Sequence, residues 1–505
     1  MIGKIMKNYY RCLTLLLFIY VLPASLTASA IDSVNITGVL TPGTVGFNGG
    51  FFNCKVIGNN ASEDETMFSK NFEAAIKNNQ FKITVPANSD LFYATFSLTD
   101  TAGKTKILSV GNESEAYLLQ KGDSINIRIN GSFMVFSGSG AEKLSCQFNL
   151  YSLMNLPNGA NDRYCDLISN GDYSQAYSSK LRMIKIQLAM KRAVLNSYQN
   201  SLPASVINRF YADHLGMLYH DTFYSLYTGD KKDLYKIKYL NDLNISLGSA
   251  DTSLAALSSI YYSQCLLWKE LTFLRFQGNT NNFNRFSFKQ LYDNICNKYQ
   301  GGLRDKILLQ AFVDMKGMHM PGMNKTDDVF NYVDDALSIM GNNESKRMLQ
   351  EWREKVAIGK NAYEFNLEGE NGQRYSLDDF KGKIIVADFW FNGCMGCTQM
   401  PGALKTVYEK YKDDNRVAWL SICVDKDAKW WQYGMKSGLY TMAGEINLFT
   451  DGMGSTHPML AHYGYSTFPQ LLVIDGVGHT ADAYPPDPRI DKGEKLIILI
   501  DKLLR

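Results

Sequence analysis

The sequence predicts a multidomain protein: an N-terminal antiparallel β-sandwich, an α-helical middle domain and a C-terminal α/β domain. Three observations support this division. Short alternating segments fill the first part of the chain, long segments without Gly or Pro fill the middle, and a buried apolar strand leads into two cysteines near the C-terminus. A chain of 505 residues is too long for one hydrophobic core, so several domains are expected.

The first thirty residues are expected to be a cleaved signal peptide. Three basic residues precede the apolar stretch Leu13–Leu22, and Ala28-Ser29-Ala30 fits a cleavage site of small residues. The alternative is an uncleaved membrane anchor, but the apolar stretch is short for a span and Pro23 interrupts it. We therefore expect an exported, periplasmic protein that can form disulfides, with association with the envelope left open.

The charge balance gives no reason to expect a nucleic-acid partner. The chain has 52 Lys and Arg against 50 Asp and Glu, a formal net charge of +2. Loss of Lys4, Lys7 and Arg11 with the signal peptide changes this value from +2 to −1. Neither value attracts nucleic acid or anionic lipid over a long range.

Residues 31–141 are predicted to form the β-sandwich domain. Their apolar and polar residues alternate, and Gly, Asn, Asp and Pro separate the segments. The predicted strands include Val34–Val39, Phe81–Val85, Leu91–Leu98 and Ile125–Ile129.

Residues 142–356 are predicted to form the helical domain, because long segments have apolar residues at spacings of three and four. No fixed repeat period is present. The predicted helices are Tyr173–Asn200, Ser205–Thr228, Leu254–Phe276, Ser287–Lys298, Arg304–Lys316 and Asp327–Met340.

Residues 357–505 alternate between strand and helix patterns. The helices Cys397–Tyr411, Ala428–Ser437 and Asp491–Leu504 are predicted between or after the strands, and the strands beside the first helix are expected to form a parallel crossover. The predicted strands are a hairpin (Glu364–Leu367 and Arg374–Ser376), Ile384–Trp390, Val417–Val424, Ile446–Phe449, Gln470–Ile474 and Thr480–Ala483.

Two cysteines follow the strand Ile384–Trp390 and are separated by two residues. Cys394 and Cys397 can close a small disulfide ring, and the first is predicted at the N-terminus of a helix. Free backbone N–H groups and the helix dipole stabilise a thiolate there. A carboxylate, Asp388, interrupts the preceding apolar strand, where burying it is costly unless it has a task.

This region resembles the thioredoxin superfamily, in its exported TlpA/ResA-like branch. The resemblance covers residues 357–505 and includes Ser376–Lys383 before the cysteines and Tyr465–Gly476 after them. It implies a thioredoxin-like fold and thiol–disulfide exchange without a cofactor. Residues 115–126 resemble the N-terminal β-domain of unknown function that often precedes such domains.

The resemblance assigns roles to the site residues. Cys394 is expected to attack, Cys397 to resolve the mixed disulfide, and Asp388 to transfer the Cys397 proton; alternatively, Asp388 only hydrogen-bonds nearby backbone. Pro469 is expected to be cis, which leaves the Phe468 backbone free to pair with a substrate strand.

The peptide groups around the cysteines are expected to contact substrate. These substrate-binding candidates are Thr467, Phe468, Met395 and Gly396. The residues between the cysteines influence the thiol pKa, and this Met-Gly dipeptide contains no proline or histidine. The sequence therefore does not predict the redox potential of the pair. Pro401 comes one residue earlier than the usual helix proline, which changes either the kink or the start of the helix.

No metal site is expected, because the chain has no second C-x-x-C pair and its histidines are scattered. The expected partners are disulfide-containing proteins and a membrane or periplasmic thiol that donates electrons, with a homo-oligomer left open. Reduction is favoured over oxidation. Two alternatives remain: a disulfide isomerase, or a protein that binds a partner or glycan and has a structural cysteine pair.

Overall fold

The computed structural model describes residues 32–58, 69–87, 89–101, 104–110, 115–153, 166–228, 234–277, 285–315, 323–324, 332–465 and 467–505. The predicted signal peptide lies outside these ranges. Within them, residues of 32–58, 70–153 and 189–207 form one compact unit, and residues of 166–188 and 208–505 form another. The predicted boundaries at 141 and 356 stay predictions.

The first unit contains two β-sheets. The strands of the unit are β1 (Ser33–Leu40), β2 (Phe51–Ile57), β3 (Lys70–Ala75), β4 (Gln80–Pro86), β5 (Leu91–Thr99), β6 (Thr105–Ile107), β7 (Tyr117–Gln120), β8 (Ser124–Asn130) and β9 (Phe133–Ser139). One sheet has the order β4-β1-β8-β9; the other has the order β3-β2-β5-β6, with β7 also paired to β5. The alternating segments predicted as strands are thus confirmed.

One strand pair differs from the predicted antiparallel arrangement. Strands β1 and β8 are parallel, with Asn35 opposite Ser124 and Leu40 opposite Ile129. The expectation of a purely antiparallel domain is wrong at this pair, because partners separated by some ninety residues leave no mark in the local alternation. The two sheets meet through stacked rings of Phe52 and Phe81, 4.0 Å apart, and the sandwich itself stays a prediction.

Helices make up most of the middle region. They are α1 (Ala141–Ser152), α2 (Tyr173–Ser197), α3 (Ala204–Thr228), α4 (Leu234–Leu247), α5 (Leu254–Ser258), α6 (Ile260–Phe276), α7 (Phe288–Lys298), α8 (Gly301–Met315), α9 (Val333–Ile339) and α10 (Glu344–Val356). Two short strands, β10 (Phe286–Ser287) and β11 (Met323–Asn324), pair in parallel. Among the described residues, none of the helices has the length and apolar character that crossing a membrane requires.

The predicted helix Leu254–Phe276 is in fact two helices. It breaks at Ser259, whose hydroxyl accepts hydrogen bonds from the backbone N–H groups of Tyr261 and Tyr262. A serine that caps the next helix ends the previous one, because its extended backbone cannot continue the helical turn. The first part of the predicted helix Asp327–Met340 falls outside the described residues.

The C-terminal region is built on a seven-stranded sheet. Its elements are β12 (Asn366–Gly369), β13 (Arg374–Ser376), β14 (Ile384–Trp390), α11 (Met400–Tyr411), β15 (Val417–Cys423), α12 (Ala428–Ser437), β16 (Ile446–Phe449), α13 (Pro458–Tyr463), β17 (Gln470–Ile474), β18 (Thr480–Asp482), α14 (Pro488–Asp491) and α15 (Glu494–Leu503). The strand order is β13-β12-β16-β15-β14-β17-β18. Strand β14 runs parallel to β15 and antiparallel to β17.

Both faces of β14 are buried, which explains its unbroken apolar character. Ile385, Ala387 and Phe389 point into a large core that also includes side chains of the middle helices. Ile384 and Val386 point to the other face, where they pack with α11 and α15. Successive residues of a strand face opposite sides, so Asp388 and Trp390 lie on the α11 side.

Trp352 of α10 offers a test of the core that joins the helices to the sheet. Its side chain has no solvent exposure and its ring lies 6.3 Å from that of Phe312. We expect Trp352→Ala to lower the free energy of unfolding by about 3–5 kcal/mol, because it leaves a large cavity. Denaturant unfolding followed by circular dichroism measures the change.

Trp430 provides the control, because 44% of its surface is exposed. Trp430→Ala should change the free energy of unfolding by less than about 0.5 kcal/mol. Equal effects of the two substitutions would contradict a core centred on Trp352.

Candidate active site

The segment that connects β14 to the cysteines is held by hydrogen bonds to side chains from other parts of the domain. The backbone N–H of Asn392 donates to Asp425 Oδ2 at 2.8 Å, and that of Gly393 donates to Tyr440 Oη at 2.9 Å. Gly393 has φ +94°, which side chains rarely tolerate, so this turn requires glycine. Asp425 lies directly after the strand Val417–Cys423 and holds the neighbouring turn from there.

Trp390 anchors the base of the same turn. Its Nε1 donates to Ser421 Oγ at 2.8 Å, and its ring stacks on Tyr440 with centroids 4.8 Å apart. Gly434 of α12 lies against this ring, where an added Cβ would approach it to 2.4 Å. The sequence therefore brings a large aromatic pair and a glycine together so that the cysteines have a rigid support.

Cys394 and Cys397 form a disulfide, with Cα atoms 5.2 Å apart. Cys397 is fully buried and Cys394 is 6% exposed, so Cys394 is the more accessible of the two. The backbone N–H of Cys397 points at Cys394 Sγ, 3.1 Å away. This donor would stabilise a thiolate at Cys394 after reduction.

The predicted helix does not begin at Cys397. A 3₁₀ turn covers Cys397–Gln399 and α11 begins at Met400, with Pro401 in its first turn. Proline is tolerated there because the first N–H groups of a helix have no intrahelical partner. The early proline therefore changes where the helix starts.

The peptide bond between Phe468 and Pro469 is cis, as expected from the resemblance. Pro469 lies beside Gly396: a Cβ on that glycine would meet Pro469 Cδ at 3.2 Å. Thr467 is exposed and Phe468 half-buried, with the Phe468 ring 5.9 Å from that of Phe391. The predicted substrate-binding residues are thus close to the disulfide.

Met395, between the cysteines, is 82% exposed. Its thioether side chain is adaptable and apolar. Together with half-exposed Phe391 and Phe468, it forms an apolar rim around the disulfide. Such a rim can contact the apolar residues of a partly unfolded chain.

Asp388 is buried, with only 4% of its surface exposed. Burial raises its pKa well above the ordinary range, and the charge of Glu445 raises it further. The charge of Arg489 and a hydrogen bond from the Phe389 backbone oppose this shift. Among the described residues, no donor reaches its Oδ1.

Sequence reasoning missed Glu445 and Arg489. Burial raises the pKa of Glu445 to about 7, against a hydrogen bond from the Met442 backbone at 2.6 Å. Arg489 forms a salt bridge of 2.7 Å with Asp487, and its Nη1 lies 3.4 Å from the carbonyl oxygen of Gly396. No spacing in the chain could indicate these neighbours, because they approach from separate loops.

The other described cysteines are not part of the disulfide, although Cys423 packs in the same cluster as Cys394 and Cys397 and its thiol donates to Asp425 Oδ2 at 3.2 Å. The thiols of Cys54, Cys146, Cys265 and Cys423 are buried, which raises their pKa values, and Cys296 is half-buried. Cys165 falls outside the described residues. Over the ranges that the structure describes, no three His, Cys, Asp or Glu side chains form a cluster that could hold a metal.

A sheet of this order with a C-x-x-C disulfide beside a cis-proline defines a thioredoxin-like domain. Residues 358–479 match the model of the AhpC/TSA family. The thioredoxin-like protein YneN of Bacillus subtilis is 25% identical over 137 residues, which cover 26% of this chain and 72% of that protein. Thiol-disulfide oxidoreductase ResA of Bacillus thuringiensis is 37% identical over 60 residues, 12% of this chain and 35% of ResA.

Two solved structures are similar to part of this chain. This chain is similar to the thioredoxin domain of a thiol-disulfide oxidoreductase from Bacteroides vulgatus, with 22% identity, a TM-score of 0.25, and coverage of 30% of this chain and 99% of that one. A thiol-disulfide oxidoreductase from Bacteroides fragilis has 22% identity and a TM-score of 0.24, with coverage of 27% and 99%. The relative ResA has the name of the enzyme class that is expected from the sequence.

The two buried carboxyl groups predict a pH dependence of stability. The raised pKa of Glu445, about 7 against an ordinary 4.5, means that the native protein retains a proton that the unfolded chain releases. The contribution of Glu445 to the free energy of unfolding is therefore fully present below about pH 4.5 and is lost as the pH rises through about 7. Asp388 acts in the same direction because its pKa is also raised.

We expect Glu445→Gln to flatten this loss, which for a shift of this size is on the order of 3 kcal/mol. Urea unfolding of the oxidised protein at pH 5 and pH 8 measures it, with Asp388→Asn as the parallel variant. Glu409→Gln is the control, because Glu409 lies exposed on the surface. If the free energy of unfolding changed between pH 5 and pH 8 by the same amount in the wild type and in Glu445→Gln, Glu445 would not be the source of the pH dependence.

Proposed function

We propose that this protein is an exported thiol–disulfide oxidoreductase that reduces protein disulfides through Cys394 and Cys397. One observation supports this most directly: the more accessible sulfur, that of Cys394, receives a backbone N–H from its partner residue, at the end of a rigid strand. A thiolate needs such a donor, and a purely structural disulfide does not.

In the reduced state, the Cys394 thiolate attacks one sulfur of a substrate disulfide. A new S–S bond forms between Cys394 and the substrate, and the other substrate sulfur leaves as a thiolate that takes up a proton. The Cys397 thiol then loses its proton and attacks Cys394 Sγ. The second substrate thiol departs, and the dithiol has been oxidised to the disulfide while the substrate gains two electrons.

Asp388 is the proposed acceptor of the Cys397 proton. Cys397 packs with Trp390, which points to the same face of β14 as Asp388. A buried thiol loses its proton reluctantly, and burial raises the pKa of the Asp388 carboxyl, which makes its carboxylate a stronger proton acceptor.

The substrate chain is proposed to bind beside Pro469. The backbone at Phe468 would pair with an extended substrate segment, and the neighbouring Thr467 and the rim formed by Met395 and Phe391 would contact its side chains. Gly396 leaves space at this point because a side chain there would press against Pro469.

The remaining parts of the proposal concern the setting of this reaction. The first thirty residues would direct export to the periplasm, and a membrane or periplasmic thiol would reduce the disulfide after each turnover. The N-terminal and helical regions would select the substrate or bring protomers together.

We expect Cys394→Ser to lose the acceleration of insulin reduction by dithiothreitol, so that the rate falls to that of dithiothreitol alone. No other described thiol is both accessible and activated. Cys397→Ser should retain the attack but not the release, so that mixed disulfides with substrate accumulate. Alkylation followed by non-reducing electrophoresis and mass spectrometry would identify the trapped proteins.

Cys296→Ser serves as the matched control, because its thiol is half-buried and belongs to α7. It should reduce insulin at the wild-type rate. Wild-type activity of Cys394→Ser would overturn the enzyme proposal and favour a binding protein with a structural disulfide.

A further inference from the structure

Three chain segments meet at Gly396, between the two cysteines. A Cβ built on this glycine would lie 3.2 Å from Pro469 Cδ, 3.5 Å from Arg489 Nη1 and 3.8 Å from the carbonyl oxygen of Phe468. The cysteine turn, the cis-proline segment and α14 are therefore in contact. Arg489 is the charged residue that the last of these segments brings to the site.

The guanidinium of Arg489 is held in one orientation. Its Nε lies 3.0 Å from Asp487 Oδ1 and its Nη2 lies 2.7 Å from Asp487 Oδ2, a bidentate pair. The side chains are only 18% and 6% exposed. The remaining terminal nitrogen, Nη1, points to the carbonyl oxygen of Gly396 at 3.4 Å. The planar guanidinium can make both contacts at once, because two of its nitrogen atoms bind the carboxylate and the third is left for the carbonyl oxygen.

The charge of the same guanidinium acts on the buried carboxyl of Asp388. Two charged groups act on that carboxyl: Glu445, which disfavours its ionised form, and Arg489, which favours it. Asp487 faces the other side of Arg489 and balances its charge. Arg489 therefore touches the cysteine turn with one arm and influences the proton acceptor by its charge.

We propose that Arg489 is a positioning residue of the candidate redox site: its guanidinium, fixed by Asp487, holds the Cys394–Cys397 turn through Gly396 and acts electrostatically on Asp388. This inference rests on the proposed function for its catalytic consequence, but its electrostatic part concerns the folded protein alone. It adds a second, distant chain segment to the determinants of the exchange reaction.

Arg416 offers an unusually close control. Its Nε lies 3.0 Å from Asp414 Oδ1, its Nη2 lies 2.7 Å from Asp414 Oδ2, and its Nη1 lies 3.4 Å from the carbonyl oxygen of Leu504. Both arginines thus pair with an aspartate two residues earlier and reach one backbone carbonyl. Only Arg489 contacts the cysteine turn, so the two substitutions differ in location and not in type.

The first test follows the ionisation of Asp388 by carbon NMR of the full-length protein labelled at aspartate, with Asp388→Asn to assign the signal. We expect Arg489→Gln to move the titration midpoint of Asp388 to higher pH, because the opposing cation is gone. Arg489→Lys should restore part of the shift, and Arg416→Gln should leave the midpoint unchanged. An Asp388 midpoint that is the same in Arg489→Gln and wild type would overturn the inference.

The second test measures insulin reduction as a function of pH. Arg489→Gln should reduce the rate at neutral pH by about tenfold and move the rise of the profile to higher pH, since less of Asp388 is then ionised and able to accept the Cys397 proton. Arg489→Lys should move the rise by a smaller amount and still lower the rate, because an ammonium cannot make the fork contact. Wild-type rates and profile in Arg489→Gln would overturn the positioning role.

The two tests separate this inference from the proposed function. An inactive wild-type protein with a shifted Asp388 titration in Arg489→Gln would contradict the oxidoreductase proposal and support the electrostatic assignment. A wild-type protein that reduces insulin, together with an Asp388 titration and a rate that Arg489→Gln leaves unchanged, would support the oxidoreductase proposal and contradict the inference on Arg489. Circular dichroism verifies that each variant is folded, and Arg489→Lys preserves the charge if Arg489→Gln does not fold.

Discussion

The candidate active site depends on the hydrogen bonds that hold β14 between β15 and β17. Pairing on both edges fixes the direction in which the strand ends, and burial of both faces fixes which side chains point to α11. The cysteine turn is therefore placed by backbone pairing and not by the cysteines themselves. Asp425 and Tyr440 then fix the two peptide groups that follow the strand.

The electrostatics of the site follow from the same burial. A carboxyl group on the inner face of β14 is separated from water, so its proton affinity depends on few neighbours. Glu445 and Arg489 are those neighbours, and they act in opposite directions. A site of this kind can be adjusted by loops that never touch the sulfur atoms.

The C-terminal region could be predicted closely because its signals are local. The bounds of β14, α12, β16 and β17 agree with the sequence analysis, since apolar runs and turn residues delimit each of them. The disulfide and the cis-proline could be predicted because the resemblance specifies both. The site residues that belong to a recognisable motif could thus be predicted from the sequence.

The rest could not be predicted for physical reasons of two kinds. The parallel pairing of β1 with β8 and the approach of Arg489 to Gly396 join residues that are distant in the chain, and alternation or spacing carries no information on such contacts. The breaks at Ser259 and before Met400 depend on capping and on proline in the first turn, which override the helical pattern.

The core that Trp352 shares with the sheet has a consequence for how this chain can be divided. The matched family segment starts at residue 358, yet the apolar side chains of α10 and those around Phe365 belong to a single cluster. A fragment cut at that point would present this apolar surface to water and would tend to self-associate. In this molecule, the thioredoxin-like domain is not a module that can be excised at the border of its own sequence signature.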